Sequence, residues 1–407
     1  MSVELGNSAE KPSVLRVAIE QHFVSVDGAV YTDIAFDSAY WCEYLDLFEE
    51  VQPVARVAVA TSVPSGWVRA DGPRVRFHRI REYRGFWQFL CCWPFVLRDC
   101  KRAMAEPGPV LLRMGNISLF CWLYLILHRR PYAFEIVGHA GMGVRTVRNV
   151  QAFGLARALA WILHKLCRLQ ARHAACASYV SQYVRKLYPT RVGQEWVFSS
   201  VRLPESAFGE PRSADRFRHS PLRIISVGRL EPEKGHDVLV RAMGRLQGRS
   251  GPDLTLCLVG PGRQDGSLRR LATELGIADR VELAGRVAPG TPLVALLDGA
   301  DLFVLPSLTE GMPRALIEGM ARGLPAIGSR AGGIMELLPD DCLVAPGDVQ
   351  ALADCLAEVV GSAERLSTLS TRSVRMAREY HQEIMTERKH AFWQAIRDAS
   401  MAVPCRA

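Results

Sequence analysis

The sequence predicts an α/β protein of two doubly wound domains facing each other across a cleft. Three observations lead there. Short apolar runs alternate with helical periodicities along most of the 407 residues, the pattern of βαβ units with parallel strands. A chain of this length exceeds what one hydrophobic core usually serves, so two domains are the natural division. A segment rich in Pro, Ser and charge, residues 203–221, interrupts the alternation and reads as an interdomain linker. An apolar content of 49% with 23% charged residues describes a globular chain and excludes a disordered one.

The elements follow in order. In the first domain, residues 1–205, apolar strands are expected at 14–22, 54–63, 75–80, 109–114 and 131–138, with helices at 41–49, 86–104 and 152–175 between them. The longest apolar run, ISLFCWLYLIL at 117–127, falls short of the ~20 residues a spanning helix needs. Its length suits a buried helix. In the second domain, residues 206–380, strands at 222–228, 254–260, 281–285, 301–307 and 325–329 alternate with helices at 237–246, 267–276, 292–300, 314–322 and 351–361. A last helical pattern, 379–401, closes the chain, and residues 381–407 are expected to pack back on the first domain. Neither internal repeats nor low-complexity segments are evident. Open parallel sheets bind ligands in the crevice outside the carboxyl ends of their strands.

Charge and cysteines limit the setting. The net charge of +8 belongs wholly to the first half: residues 1–200 hold 24 Lys and Arg against 16 Asp and Glu, and residues 201–407 hold 26 of each. Residues 74–93, RVRFHRIREYRGFWQFLCCW, mix five arginines with Phe, Tyr and Trp. That mixture suits an anionic membrane surface, with basic heads on phosphate and aromatic rings at the interface. It is also compatible with nucleic acid, or with a solvated arginine face beside a buried aromatic helix. Eleven cysteines without CxxC spacing point to reduced thiols rather than to disulfides or a zinc site. The polar N-terminus lacks a secretory pattern, so a cytoplasmic setting is expected.

Residues 309–338, TEGMPRALIEGMARGLPAIGSRAGGIMELL, carry most of the chemistry. A strand feeds a glycine-containing loop and then a helix whose first turn begins at Pro313, where the missing N–H is harmless. Unpaired N–H groups and the helix dipole converge there and favour an anion. Glu310 stands before the helix and Glu318 about one and a half turns within it. A phosphate at the helix start beside a polyhydroxylated group suggests a sugar nucleotide. Residues 227–239, VGRLEPEKGHDVL, add a second signal. Gly228 lets backbone approach a ligand, and Arg229 and Lys234 are a planar fork and a mobile point charge suited to a diphosphate. The two cations could instead pair with Glu231 and Glu233. At 281–287, VELAGRV, a flat base could lie on backbone near Arg286. Gly332–Gly333 is either a turn near the ligand or a sharp loop. Arg113 either faces the cleft or closes a strand end.

GRLEPEKG, LVGPG, SLTEGMP and the Glu310/Glu318 pair followed by GLPAIGSRAGGIMELL resemble the retaining family 4 glycosyltransferases of bacterial surface-polysaccharide type. The resemblance is dense over 222–350 and thin elsewhere. It implies the GT-B fold, two Rossmann-like domains across a cleft, with a nucleotide-diphosphate sugar held mainly by the second. On that basis Arg229 and Lys234 bind the diphosphate, Glu318 takes the ribose hydroxyls, and Glu310 contacts the transferred sugar. Gly228 and the backbone of Gly311 and Met312 help hold the donor. Residues 20–33, EQHFVSVDGAVYTD, are similar to an N-terminal loop of such members, which implies that Asp27–Gly28 approaches the donor phosphates. His139 stands where many members keep a sugar-contacting histidine, and a satisfied loop histidine is the alternative. Gly319 departs from the alanine more usual after Glu318, at a helix cost of ~1 kcal/mol that close packing would explain.

The family's mechanism is retaining and uses no metal or other cofactor, and the sequence has no DxD-like pair. The implied partners are the donor and a glycan or lipid-linked acceptor, with possible contact to an anionic membrane at the inner face of the cell membrane and no nucleic acid. Three rivals stay open at this level: a sugar-nucleotide epimerase, a sugar phosphorylase and a non-catalytic nucleotide-sugar-binding subunit.

Overall fold

The computed structural model describes residues 14–33, 36–140, 155–191, 193–248 and 251–401. Strands β1 (Val14–Val26), β2 (Ala29–Thr32), β3 (Glu50–Val59), β4 (Val68–Arg69), β5 (His78–Ile80), β6 (Val110–Arg113), β7 (Ala133–Ile136), β8 (Cys176–Tyr179) and β9 (Gln194–Val197) form one sheet. Its parallel part runs β5-β3-β1-β6-β7-β8-β9. β2 and β4 add an antiparallel flap to the far end of β1. Both faces of this sheet are covered, which is why its strands are almost continuously apolar. Leu15, Val17, Ile19 and Phe23 pack on one side of β1 and Ala18 on the other.

The second sheet holds β10 (Leu222–Val227), β11 (Leu254–Val259), β12 (Val281–Gly285), β13 (Leu302–Leu305), β14 (Ala326–Ser329) and β15 (Leu343–Val344). All its pairs are parallel, in the order β12-β11-β10-β13-β14-β15. Strand order therefore reverses between β10 and β13, and in the first sheet between β1 and β6. A crevice opens at such a reversal because the flanking connections leave to opposite faces.

Helices Gly85–Ala105, Asn116–Leu127 and Leu155–His173 cover one face of the first sheet through Cys100, Met104, Ile117, Cys121, Cys167 and Ala171. The other face is closed by the last helix, Gln382–Met401, whose Met385, Phe392, Trp393 and Ile396 enter the same core as Leu15 and Phe48. Helix Ala363–Arg378 stays with the second domain through Leu366 and Leu369.

Local differences from the sequence reading have physical causes. Residues 203–221 are no loose linker: Leu203 and Phe217 are buried, Gly209 N–H donates to Ala321 O (2.9 Å), and Arg212 Nη2 donates to Leu297 O (3.0 Å). The expected helix at 41–49 is instead a short helix, Ser38–Cys42, capped by Asp37, followed by a 3₁₀ turn, Glu43–Asp46. The run at 117–127 is buried only on one side: Ile117, Cys121 and Leu125 face the core, whereas Leu127 is 77% exposed. The pattern 379–401 is broken before Gln382, where the chain turns from one domain to the other. The expected start of the 152–175 helix falls partly outside the described residues.

Candidate active site

The second domain's crevice is built by close backbone contacts. Gly228 follows β10, Gly260 follows β11, and Gly285 ends β12. Gly260 N–H donates to Gly285 O (2.8 Å), Gly228 N–H donates to Val259 O (2.9 Å), and a Cβ on Gly260 would lie 2.0 Å from Gly228 O. The strand ends thus share a floor without side chains. The loop from Gly228 turns through Pro232–Lys234 to Gly235, which has φ +66° and leaves no room for a Cβ beside Pro306 O. Leu308 N–H donates to Glu233 O (2.8 Å), tying this loop to the one that follows β13.

Lys234 Nζ is thereby brought against Glu310 Oε1, the same oxygen that accepts from Ser307 Oγ (2.8 Å). The Glu310 side chain is 8% exposed and that of Lys234 20%. Arg229, the other expected diphosphate ligand, is mostly exposed and pairs with Glu233 (2.9 Å). Ser307 carries no motif signal; its spacing of three before Glu310 in SLTE is what allows the bond.

The Glu310–Met312 loop is held from both sides. A Cβ on Gly332 would fall 1.9 Å from Glu310 O, Gly333 N–H donates to Gly311 O (2.9 Å), and a Cβ on Gly311 would come within 2.6 Å of Val137 O in the first domain. Gly332–Gly333 is therefore the buttress of this loop, a role its sequence left open. Pro313 is the N-cap of helix Arg314–Ala321, and no side chain caps the helix, so its first N–H groups remain available to a ligand. Gly319 packs on the Phe303 ring, which a Cβ would approach to 2.6 Å.

Glu318 and Met312 turn to a cavity of about 570 Å³ between the domains, lined also by Arg314, Phe36, Tyr40, Arg113, Glu135 and Trp393. Burial raises the Glu318 carboxyl pKa, and Arg314 offsets this only in part. Arg113 faces this cavity, stacked over Phe36 (4.8 Å), donating to Tyr40 Oη (3.1 Å), and 3.7 Å from Glu135. Burial would lower its pKa, but Glu135 and the Tyr40 and Tyr44 hydroxyls outweigh that and raise it.

The remaining expected residues lie elsewhere. Asp27 (φ +48°) and Gly28 (φ +85°) are the two central residues of the β1–β2 hairpin, both exposed, the arrangement an Asp-Gly pair favours. Turn geometry accounts for this pair, and it does not line the cavity. Arg286 is exposed just beyond β12. His139 stacks on His164 (5.3 Å between centroids), with Nδ1 2.8 Å from Ala140 O. At the first domain's strand reversal, Glu20 bonds Arg56 (2.8 Å), Tyr83 Oη (3.0 Å) and Ile117 N–H (3.0 Å) and so caps helix Asn116–Leu127. Glu336 reaches across the domains and accepts from the N–H groups of Gln182 (3.0 Å) and Tyr183 (2.6 Å). Nothing in their spacing announces Glu20 or Glu336, since both partners are remote in sequence.

His236 is fully buried beneath the Lys234 loop, 3.4 Å from Ser226 Oγ, with Nε2 unpartnered. Burial, and secondarily the Lys234 charge, push its pKa down to about 4. The fold therefore binds fewer protons than the unfolded chain, whose histidine titrates near ~6.5. Stability should be lost as pH falls from ~6.5 towards ~4, by about 3 kcal/mol in all. Denaturant titrations across that range should show the loss, and His236→Gln should flatten it; an unchanged slope would remove His236 as its source.

Residues 221–362 match the family described as glycosyl transferases group 1. They are a glycosyl transferases group 1 domain. The chain is similar to protein CapJ of Staphylococcus aureus, 24% identical over 363 residues, 88% of this chain and 86% of that one. It is also similar to the amylovoran biosynthesis glycosyltransferase AmsK of Erwinia amylovora, 35% identical over 41% of this chain and 43% of AmsK. Its fold is similar to Anabaena Alr3699/HepE, solved in complex with UDP and glucose, with a TM-score of 0.61 at 16% identity, covering 94% of this chain and 100% of that one. The two facing domains are the GT-B arrangement. Among its described residues, no helix is long and apolar enough to cross a membrane, and no group of three or more His, Cys, Asp or Glu is placed to hold a metal ion.

Proposed function

We propose that the chain is a retaining hexosyltransferase of bacterial surface-polysaccharide biosynthesis. It moves a sugar from a nucleotide-diphosphate donor to a glycan or lipid-linked glycan, with no metal or other cofactor. The observation that carries this reading is the Lys234–Glu310–Ser307 cluster at the β10/β13 strand reversal, beside an uncapped helix N-terminus. The UDP and glucose in the HepE complex and the biosynthetic name of AmsK support it.

Breaking the sugar–phosphate bond builds negative charge on the diphosphate and positive charge on the ring. Lys234, Arg229 and the N–H groups after Pro313 would meet the first. Glu310 would hold the transferred sugar, and ionised Glu318 would accept from the ribose hydroxyls. The departing phosphate would take the proton of the acceptor hydroxyl as it attacks the same face of the sugar, which retains the anomeric configuration. The first domain would present the acceptor, with its basic helical face against an anionic membrane at the inner side of the cell membrane.

The test is to identify by mass spectrometry the nucleotide sugar that raises the melting temperature, since a bound ligand stabilises by mass action, and then to follow its turnover. Slow hydrolysis to free nucleotide, unaffected by EDTA, and a retained anomer in the glycosylated product are expected. Release of an altered donor, or a requirement for inorganic phosphate, would replace this reading with an epimerase or a phosphorylase.

A further inference from the structure

Helix Leu155–His173, LARALAWILHKLCRLQARH, contains no acidic residue. Its outer stripe holds Trp161, Ile162 and Leu169, which are 60%, 45% and 39% exposed. Lys165 and Arg168 are exposed on the same stripe, and Lys165 Nζ lies 5.4 Å over the Trp161 ring. Lys165, Arg168 and Arg172 follow one helix face, and Arg191, from the loop after helix Gln182–Leu187, closes a cavity of about 470 Å³ around them, with Thr190 and Leu169 in its wall. Among the described residues none of these four cations is in an ion pair, whereas nearby Arg185 is bound to Glu195. Four unneutralised cations around one small space form a ready site for a doubly liganded phosphoryl group, and two or more guanidinium forks suit it best.

The surroundings decide which phosphoryl compound fits. Helix Gly85–Ala105 covers the same sheet face and exposes Trp87 (78%), Leu90 (44%) and Trp93 (46%). A soluble phosphate needs no such apolar border, and a nucleic-acid backbone offers nothing to bury Ile162 and Leu169. A bilayer surface satisfies both features at once.

We propose that the Lys165, Arg168, Arg172 and Arg191 pocket binds the phosphoryl headgroup of an anionic phospholipid while Trp161, Ile162 and Leu169 enter the interface beside it. The site lies outside the 74–93 run and sharpens the membrane contact proposed above; it is independent of the donor chemistry. The test is cosedimentation of the full chain with phosphatidylcholine vesicles, with and without phosphatidylglycerol. Wild type should bind only the anionic vesicles. Arg168→Gln combined with Arg172→Gln should weaken binding roughly 25-fold, taking about fivefold per cation near a membrane surface. Its melting temperature and solution donor hydrolysis should stay at wild-type values. Brominated lipid should quench wild-type tryptophan fluorescence more than that of Trp161→Phe. Equal vesicle affinity in the double variant would overturn the pocket. So would stabilisation of wild type by inorganic pyrophosphate, or retention on single-stranded DNA, without vesicle binding. Loss of donor hydrolysis in every form, with vesicle binding intact, would instead count against the transferase reading alone.

Discussion

Lys234→Ala is expected to lower kcat for donor turnover by about 10³-fold, the scale seen when a fixed group is removed from the charge developing in a transition state. Lys234 is the buried-side cation of the crevice, and Arg229, exposed and paired with Glu233, is poorly placed to replace it. The same substitution leaves Glu310 almost fully enclosed with Ser307 Oγ still donating to it, so stability should fall by about 2 kcal/mol. The two effects can be separated. Adding Glu310→Gln to Lys234→Ala removes the stranded charge and should restore much of the melting temperature while turnover stays lost. A double variant that recovers both would make Lys234 a structural partner of Glu310 and nothing more. The cycle reports their coupling directly, because the two side chains touch.

Such a test is possible because the motif residues were legible and their mutual placement was not. Parallel βαβ alternation, the 222–350 motifs and the Glu310/Glu318 spacing can be read from a chain because each is local. Lys234 and Glu310 are remote in sequence; only the strand order brings their loops together, since β10 and β13 are neighbours at the reversal. Ser307 goes unannounced because a serine before a glutamate is common in any loop. The resemblance implies a donor contact for Asp27–Gly28, and the pair is also what a two-residue hairpin requires. Glu336 and Glu20 spend their carboxylates on helix N-terminal N–H groups of remote segments, and such caps leave no trace in spacing. The apolar run at 117–127 hides its outer side for the opposite reason: its composition is apolar all round, but one side faces outwards, where Leu127 stands in solvent.

Gly332→Ala should damage both the fold and the site. The new Cβ would sit 1.9 Å from Glu310 O, a backbone atom that cannot swing aside as a side chain could, and the residue would also have to hold φ +54°. The loop carrying Glu310, Gly311 and Met312 must then move, and it is pinned on its other side by Val137 O of the first domain. A destabilisation of about 3 kcal/mol is expected from overpacking and left-handed strain together. Turnover should fall about 100-fold even in the folded fraction, since a displacement near 1 Å at a reacting site costs that much. Gly28→Ala is the matched control. It too has positive φ, +85°, but no atom lies within 4 Å of its added Cβ. It should lose only about 1 kcal/mol of stability and leave turnover unchanged. If both variants keep their fold and Gly28→Ala loses the activity instead, the hairpin tip reaches the donor and the Gly332–Gly333 buttress does not govern the site.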